Sequence, residues 1–81
     1  MTDPDTSAAA RDHFAHCVQV LGGVTAASRR LDIDERAIRR FINGERPLGP
    51  TLLADTAQVL RRLIADAQAA QAGLAPFIGT N

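Results

Sequence analysis

The chain reads as an all-α domain: a compact bundle of four to five helices closed by a long C-terminal helix. Three observations carry that expectation. Alanine and leucine dominate, and no run of Val, Ile, Thr or Tyr alternates with the period of a half-buried strand. Apolar residues recur instead at helical steps of three and four, in segments separated by Gly22-Gly23, Asn43-Gly44 and the prolines Pro47 and Pro50. With 81 residues the chain can build a single core, near the small end of what folds alone, so oligomerisation would help it.

Residues 1–7, MTDPDTS, are expected to be a flexible lead ending at a cap, Thr6 or Ser7, with residues 8–81 forming one domain. The first helix is then expected over Ala8 to Leu21, burying Ala10, Phe14, Cys17, Val18 and Leu21, and Gly22-Gly23 turns the chain. His13, His16 and Cys17 are metal-capable types on that helix. One helical turn can offer zinc two ligands, but a site needs three or four and the sequence has no further His or Cys. The histidines read as partly exposed and the cysteine as a small core residue, and no metal or cofactor is expected.

The most informative stretch is 23–44, GVTAASRRLDIDERAIRRFING. Ala27 and Leu31 repeat at i, i+4, and Ile38, Phe41 and Ile42 at i, i+3, i+4, which gives two short amphipathic helices. Asp32 stands where the first must end, and aspartate is among the few residues other than glycine that enter the left-handed conformation such a turn needs. Asp34 is placed to cap the second helix, with Glu35 in its first turn favourable to the helix dipole, and Asn43-Gly44 stops it. Ile33 plugs the angle between them. Two helices joined across so short a break make a helix-turn-helix, whose second helix enters the major groove of DNA.

A formal net charge of zero taken alone argues against nucleic acid, because non-specific affinity follows the number of phosphates neutralised. The distribution reverses that reading. Every basic residue is arginine, and six of the nine, Arg29, Arg30, Arg36, Arg39, Arg40 and Arg46, fall within 29–46 against four acids. Arg36, Arg39, Arg40 and Asn43 share the side of the second helix opposite Ile38, Phe41 and Ile42. A solvated, salt-bridged face is the ordinary meaning of such a charge run. Arginine bunched behind a tight turn suits bidentate contacts to phosphate and guanine better.

Arg46-Pro47-Leu48-Gly49-Pro50 is a connector in which the residue before each proline is driven out of helix, and Thr51 is the expected cap of the last helix. From Leu52 to about Ala72 the apolar pattern is unbroken. A helix of that length is about 30 Å long, more than so small a core can cover. Its first half should close the core. The second half and the tail, through Leu60, Leu63, Ile64, Ala67, Leu74, Phe77 and Ile78, should bury against a second copy, the rival being a tail that folds back on its own domain. No apolar run approaches a membrane span and no basic-then-apolar leader is present, while the lone Cys17 excludes an internal disulfide; a reducing cytoplasm fits.

The segment AASRRLDIDERAIRRFINGERPLGP, followed by a leucine-rich helix, resembles the lambda-repressor-like, Cro-type helix-turn-helix family of small phage and prokaryotic regulators. The likeness covers about half the chain, Gly22 to Leu63. Asp32 stands where the family usually has glycine, and Ser28 where it usually has alanine. The resemblance implies that Glu35, Arg36, Arg39 and Arg40 read base edges. It implies that Thr25, with the amides of Val24 and Thr25, and Asn43 and Arg46 hold phosphates, and that Arg29 and Arg30 reach the backbone or pair with Asp32 or Asp34. Ala26, Ala27, Leu31, Ile33, Ile38, Phe41 and Ile42 would fix the angle between the helices.

The expected function is therefore a sequence-specific transcriptional regulator, a dimeric Cro-like repressor whose helix over about 34–43 reads a pseudo-palindromic operator in double-stranded DNA, with no membrane and no small-molecule ligand involved. The alternative is a protein-interaction module, antitoxin-like or a phage accessory protein, that works through its long terminal helix. Catalysis would need converging acid, base or nucleophile groups, and the sequence offers neither a glycine-rich phosphate loop nor a Ser/His/Asp set beyond accident. It is not expected to be an enzyme.

Overall fold

Residues 4–79 are described by a computed structural model of the chain. Four α-helices follow in order: α1 (Pro4–Val20), α2 (Val24–Leu31), α3 (Glu35–Asn43) and α4 (Pro50–Leu74). A single 3-10 turn, Ala75–Phe77, extends the last. The fold is all-helical, a bundle with a long C-terminal helix, and the described residues include no strand. No helix among them is long and apolar enough to cross a membrane.

α1 starts at Pro4, ahead of the Ala8 expected for it. Thr6 and Ser7 therefore lie inside the helix and do not cap it. Proline suits a first helical position because its missing N–H has no intrahelical partner there, and the alanines at 8–10 propagate the helix. The rest of the expected lead, residues 1–3, lies outside the described residues. At the other end Gly22 and Gly23 both take positive φ, 111° and 101°, and a Cβ added at Gly22 would come 3.1 Å from that of Ala26. The turn into α2 needs glycine on both counts.

Phe14, Val18, Leu21, Ala27 and Ile38 form the buried centre. Val24, Ile33, Phe41, Ile42, Leu48, Leu52 and Val59 close over it, half-buried, as do Leu60 and Leu63. Phe14 and Phe41 pack edge to face, ring centres 6.1 Å apart and planes at 72°, a favoured aromatic geometry. Ala10 and Cys17 are only half-buried, a correction to the expected α1 stripe. They stand at the mouth of an apolar groove of about 380 Å³ between α1 and α4, whose α4 wall is Leu53, Thr56, Ala57 and Leu60.

α4 begins earlier than expected, with Gly49 as its cap and Pro50 in its first turn, so Thr51 is interior. Thr56, the one buried polar side chain among the described residues, donates its hydroxyl to the Leu52 carbonyl at 2.8 Å. That bond to the preceding turn lets a threonine sit under the core without an unmatched polar atom. Leu60 and Leu63, expected to be reserved for a partner, contribute to the chain's own core. Beyond Leu63 every described residue is exposed. The tail does not fold back: the 3-10 turn touches only α4, and Phe77 is 83% exposed. The radius of gyration, 15.8 Å, exceeds the roughly 12 Å of a compact chain this long. A projecting helix accounts for the difference.

Candidate nucleic-acid interface

α2 and α3 are joined by Asp32, Ile33 and Asp34, and each junction residue takes the part its chemistry suits. Asp32 is left-handed, φ 58° and ψ 45°, and its N–H returns to the Ser28 carbonyl. The Ile33 N–H reaches the same carbonyl at 3.2 Å, and the Ser28 hydroxyl donates to the carbonyl of Ile33. Serine thus ties the turn to the helix it leaves, which alanine could not do. Asp34 is extended, and its carboxylate accepts the Arg36 N–H at 3.3 Å, the N-cap of α3.

α3 buries Ile38 completely and leans Phe41 and Ile42 on the core. With that face fixed, Arg36, Arg39, Arg40 and Asn43 are left exposed on the opposite side, and Glu35, at the helix start, is half-buried. Glu35, expected beside them as a base reader, has its carboxylate paired with Arg39, one turn on, at 3.2 Å. Arg40 lies 3.9 Å from Glu45. Both pairs are open to water, where such contacts are worth at most about 1 kcal/mol. Among the described residues Arg36, Arg29 and Arg30 make no ion pair, so the expected links from Arg29 or Arg30 to Asp32 or Asp34 are not formed.

The helix stop shapes the far edge of this surface. Gly44 is left-handed, φ 80°, with its N–H shared between the carbonyls of Arg40 and Phe41. The Glu45 N–H also bonds the Arg40 carbonyl, at 2.9 Å. This closure satisfies helix-end carbonyls and swings the chain back over the last turn. It carries Arg46 to the face of Phe41, its guanidinium carbon 5.0 Å from the ring centre. Arg11 arrives from α1: a Cβ on Gly44 would fall 2.8 Å from its Nη1. Sequence reasoning missed Arg11. Its signal is tertiary, since nothing in the α1 pattern tells which loop its guanidinium will meet.

Thr25 lies in the first turn of α2, where the leading amides have no intrahelical acceptor. Arg30 points the other way, into a shallow cleft between α2 and α4 with Asp55, Gln58 and Arg62. The structure therefore brings Arg36, Arg39, Arg40, Asn43 and Arg46 onto α3 and its C-terminal edge, and sets Arg30 apart beside α4.

No family model, curated protein or solved structure matches the chain.

Proposed function

We propose that the chain is a sequence-specific DNA-binding regulator, a homodimeric repressor of Cro-like type that occupies a pseudo-palindromic operator with α3 in the major groove. The observation that supports it is the outward face of α3, where Arg36, Arg39, Arg40 and Asn43 stand opposite the buried Ile38 behind a capped three-residue turn. Guanidinium groups on such a helix match the paired acceptors on the guanine edge. Arg36, Arg39 and Arg40 read bases. Glu35, whose Oε1 holds Arg39, has its second carboxylate oxygen to accept from a base amino group. Thr25, Asn43, Arg46 and Arg29 hold phosphates, with Arg30 at the margin. Two half-sites one helical turn apart, about 34 Å, engage the two copies. A promoter so occupied is closed to polymerase. The cytoplasm suits a chain whose one cysteine, Cys17, is free.

Selection of bound duplexes from a random pool at fixed salt tests this reading, and a palindromic consensus is the expected result. On the selected site Arg39→Ala and Arg40→Ala each lose roughly 1–3 kcal/mol and relax one base position, whereas Arg46→Ala weakens all sequences alike. Absence of any enriched sequence overturns it. The interaction-module reading, which the exposed tail from Ile64 to Ile78 favours, then takes its place.

A further inference from the structure

α4 carries two apolar stripes offset by one residue. The first, Leu52, Thr56, Val59 and Leu63, faces the chain's own core and ends there, for the next position is Asp66. The second opens at Leu53, Ala57 and Leu60, the α4 wall of the groove against α1. It continues past the core, at the same alternating steps of four and three, through Ile64, Ala67, Gln71, Leu74 and Ile78. The Ile78 N–H bonds the Leu74 carbonyl at 3.2 Å, which keeps this last position in line. Seven of these eight positions are apolar. A repeat of 3.5 residues held over about three and a half heptads is the seam of a coiled coil, not the stripe of a helix lying on a globular core. This seam has no cover: Ile64, Leu74 and Ile78 are 56%, 54% and 65% exposed.

The side chains along the seam select the partner and its direction. Laid parallel and in register, two seams would stack Ala57 on Ala57 and Ala67 on Ala67, between layers of Ile64 on Ile64 and Leu74 on Leu74, alternating void with crowding. Laid antiparallel about a two-fold axis between Ile64 and Ala67, they set large against small at two of the four facing pairs and remove every small-on-small layer. Ile64 then meets Ala67 of the other copy, Leu74 meets Ala57, Leu60 meets Gln71 and Ile78 meets Leu53. Complementary volumes at facing positions are what a close-packed interface needs. The same register seats Ile78 on Leu53, in the wall of the groove that Cys17 and His13 also line. The surface area agrees: the chain exposes 6018 Å², against about 4,700 Å² for a compact monomer of its mass. That excess is larger than the roughly 800 Å² each partner gives to a standard interface.

We infer that two copies of this chain pair antiparallel along the α4 seam, each tail filling the α1–α4 groove of the other. The inference rests on the homodimer in the proposed function and is independent of whether the dimer binds DNA. The test uses the full chain with Cys17→Ala, Ala57→Cys and Leu74→Cys, oxidised at micromolar concentration and mapped by peptide mass. Within one chain positions 57 and 74 stand about 25 Å apart along the helix, far beyond disulfide reach. Disulfides joining position 57 of one copy to position 74 of the other are the expected product. Links of 57 to 57 and 74 to 74 overturn the antiparallel pairing and leave a dimer. Sedimentation equilibrium of the unmodified chain, expected at twice 8.6 kDa, separates the remaining case: a monomer overturns the homodimer too and gives the seam to a foreign helix. Ile64→Glu, at the two-fold axis, yields a monomer with the helical circular dichroism of α1 to α3 intact; a variant that stays dimeric counts against the seam.

Discussion

Phe41 joins the buried core to the candidate interface, and replacing it by leucine separates the two contributions. Its ring meets that of Phe14, which is 1% exposed, in an edge-to-face pair. It also carries the Arg46 guanidinium over its face. Phe41→Leu keeps an apolar side chain of nearly the same reach while removing both ring-specific contacts. The edge-to-face pair is worth about 0.5–1.5 kcal/mol beyond its buried area, and the cation–π contact, on the open side, about 0.5–1 kcal/mol. The variant should therefore lose about 1–2.5 kcal/mol, or roughly 4–8 °C in Tm for each kcal/mol in a domain this small. Urea unfolding at one fixed protein concentration measures it, since a dimer's stability depends on concentration. Two double-mutant cycles divide the sum. Phe14→Leu with Phe41→Leu should show coupling of about 0.5–1.5 kcal/mol, and Phe41→Leu with Arg46→Ala about 0.5–1 kcal/mol. Additivity within about 0.3 kcal/mol in both cycles would refute the stack as a source of stability. On the proposed reading Phe41→Leu also weakens DNA binding for every sequence alike, because it frees a phosphate-holding arginine and leaves the base-facing side of α3 in place.

Two substitutions probe the turns that bracket α3. Asp32 holds φ 58°, a conformation that disfavours any residue with a Cβ, so Asp32→Gly should raise stability by up to about 1 kcal/mol and Asp32→Val lower it by about 1 kcal/mol or more in thermal unfolding. Gly44→Ala adds a Cβ where φ is 80° and Arg11 stands 2.8 Å away; a loss of about 1–2 kcal/mol is expected, and combining it with Arg11→Ala should recover the steric share and leave the backbone share.

The local chemistry of the α2–α3 junction was legible because it is written in neighbouring residues. Asp32 and Asp34 take the conformations that aspartate tolerates at a helix end and favours at a helix start, Gly44 takes the left-handed one open to glycine, and Ile38, Phe41 and Ile42 set the inward face of α3 without help from elsewhere. What the sequence hid depends on contacts between distant segments. Arg11 meets the α3 stop only after α1 has packed. Thr51 looked like a cap, but Gly49 with Pro50 opens the helix earlier, as proline in a first turn permits. Leu63 looked like one surface with Ile64 and Ala67 because an unbroken apolar run hides two stripes; which stripe faces the core is decided by α1 and α2, and Leu60 sits where the second stripe leaves it. Once Leu52, Thr56, Val59 and Leu63 are seen to be spent on the core, the seam beginning at Leu53 stands apart.

On the proposed reading the neutral charge has a mechanical meaning. A DNA-binding surface of unopposed arginines would hold any duplex, since each phosphate neutralised adds to affinity regardless of sequence. Here two of the three outward arginines of α3 are paired, Arg39 with Glu35 and Arg40 with Glu45. The pairs are exposed, so releasing them costs at most about 1 kcal/mol each, less than the roughly 1–3 kcal/mol returned by a good bidentate contact to the right base. A wrong base returns too little to break the pair, and Arg39 and Arg40 stay with their acids. Each pair therefore takes its release cost, up to about 1 kcal/mol, from binding at the right site and leaves the weaker contacts elsewhere unmade. Glu45→Gln tests this directly: titrated at one salt concentration, it should tighten binding to the selected site by up to about 1 kcal/mol, the release cost of the Arg40–Glu45 pair, and binding to random duplex by no more than that; an unchanged affinity at the selected site would show that Arg40 does not leave Glu45 to bind.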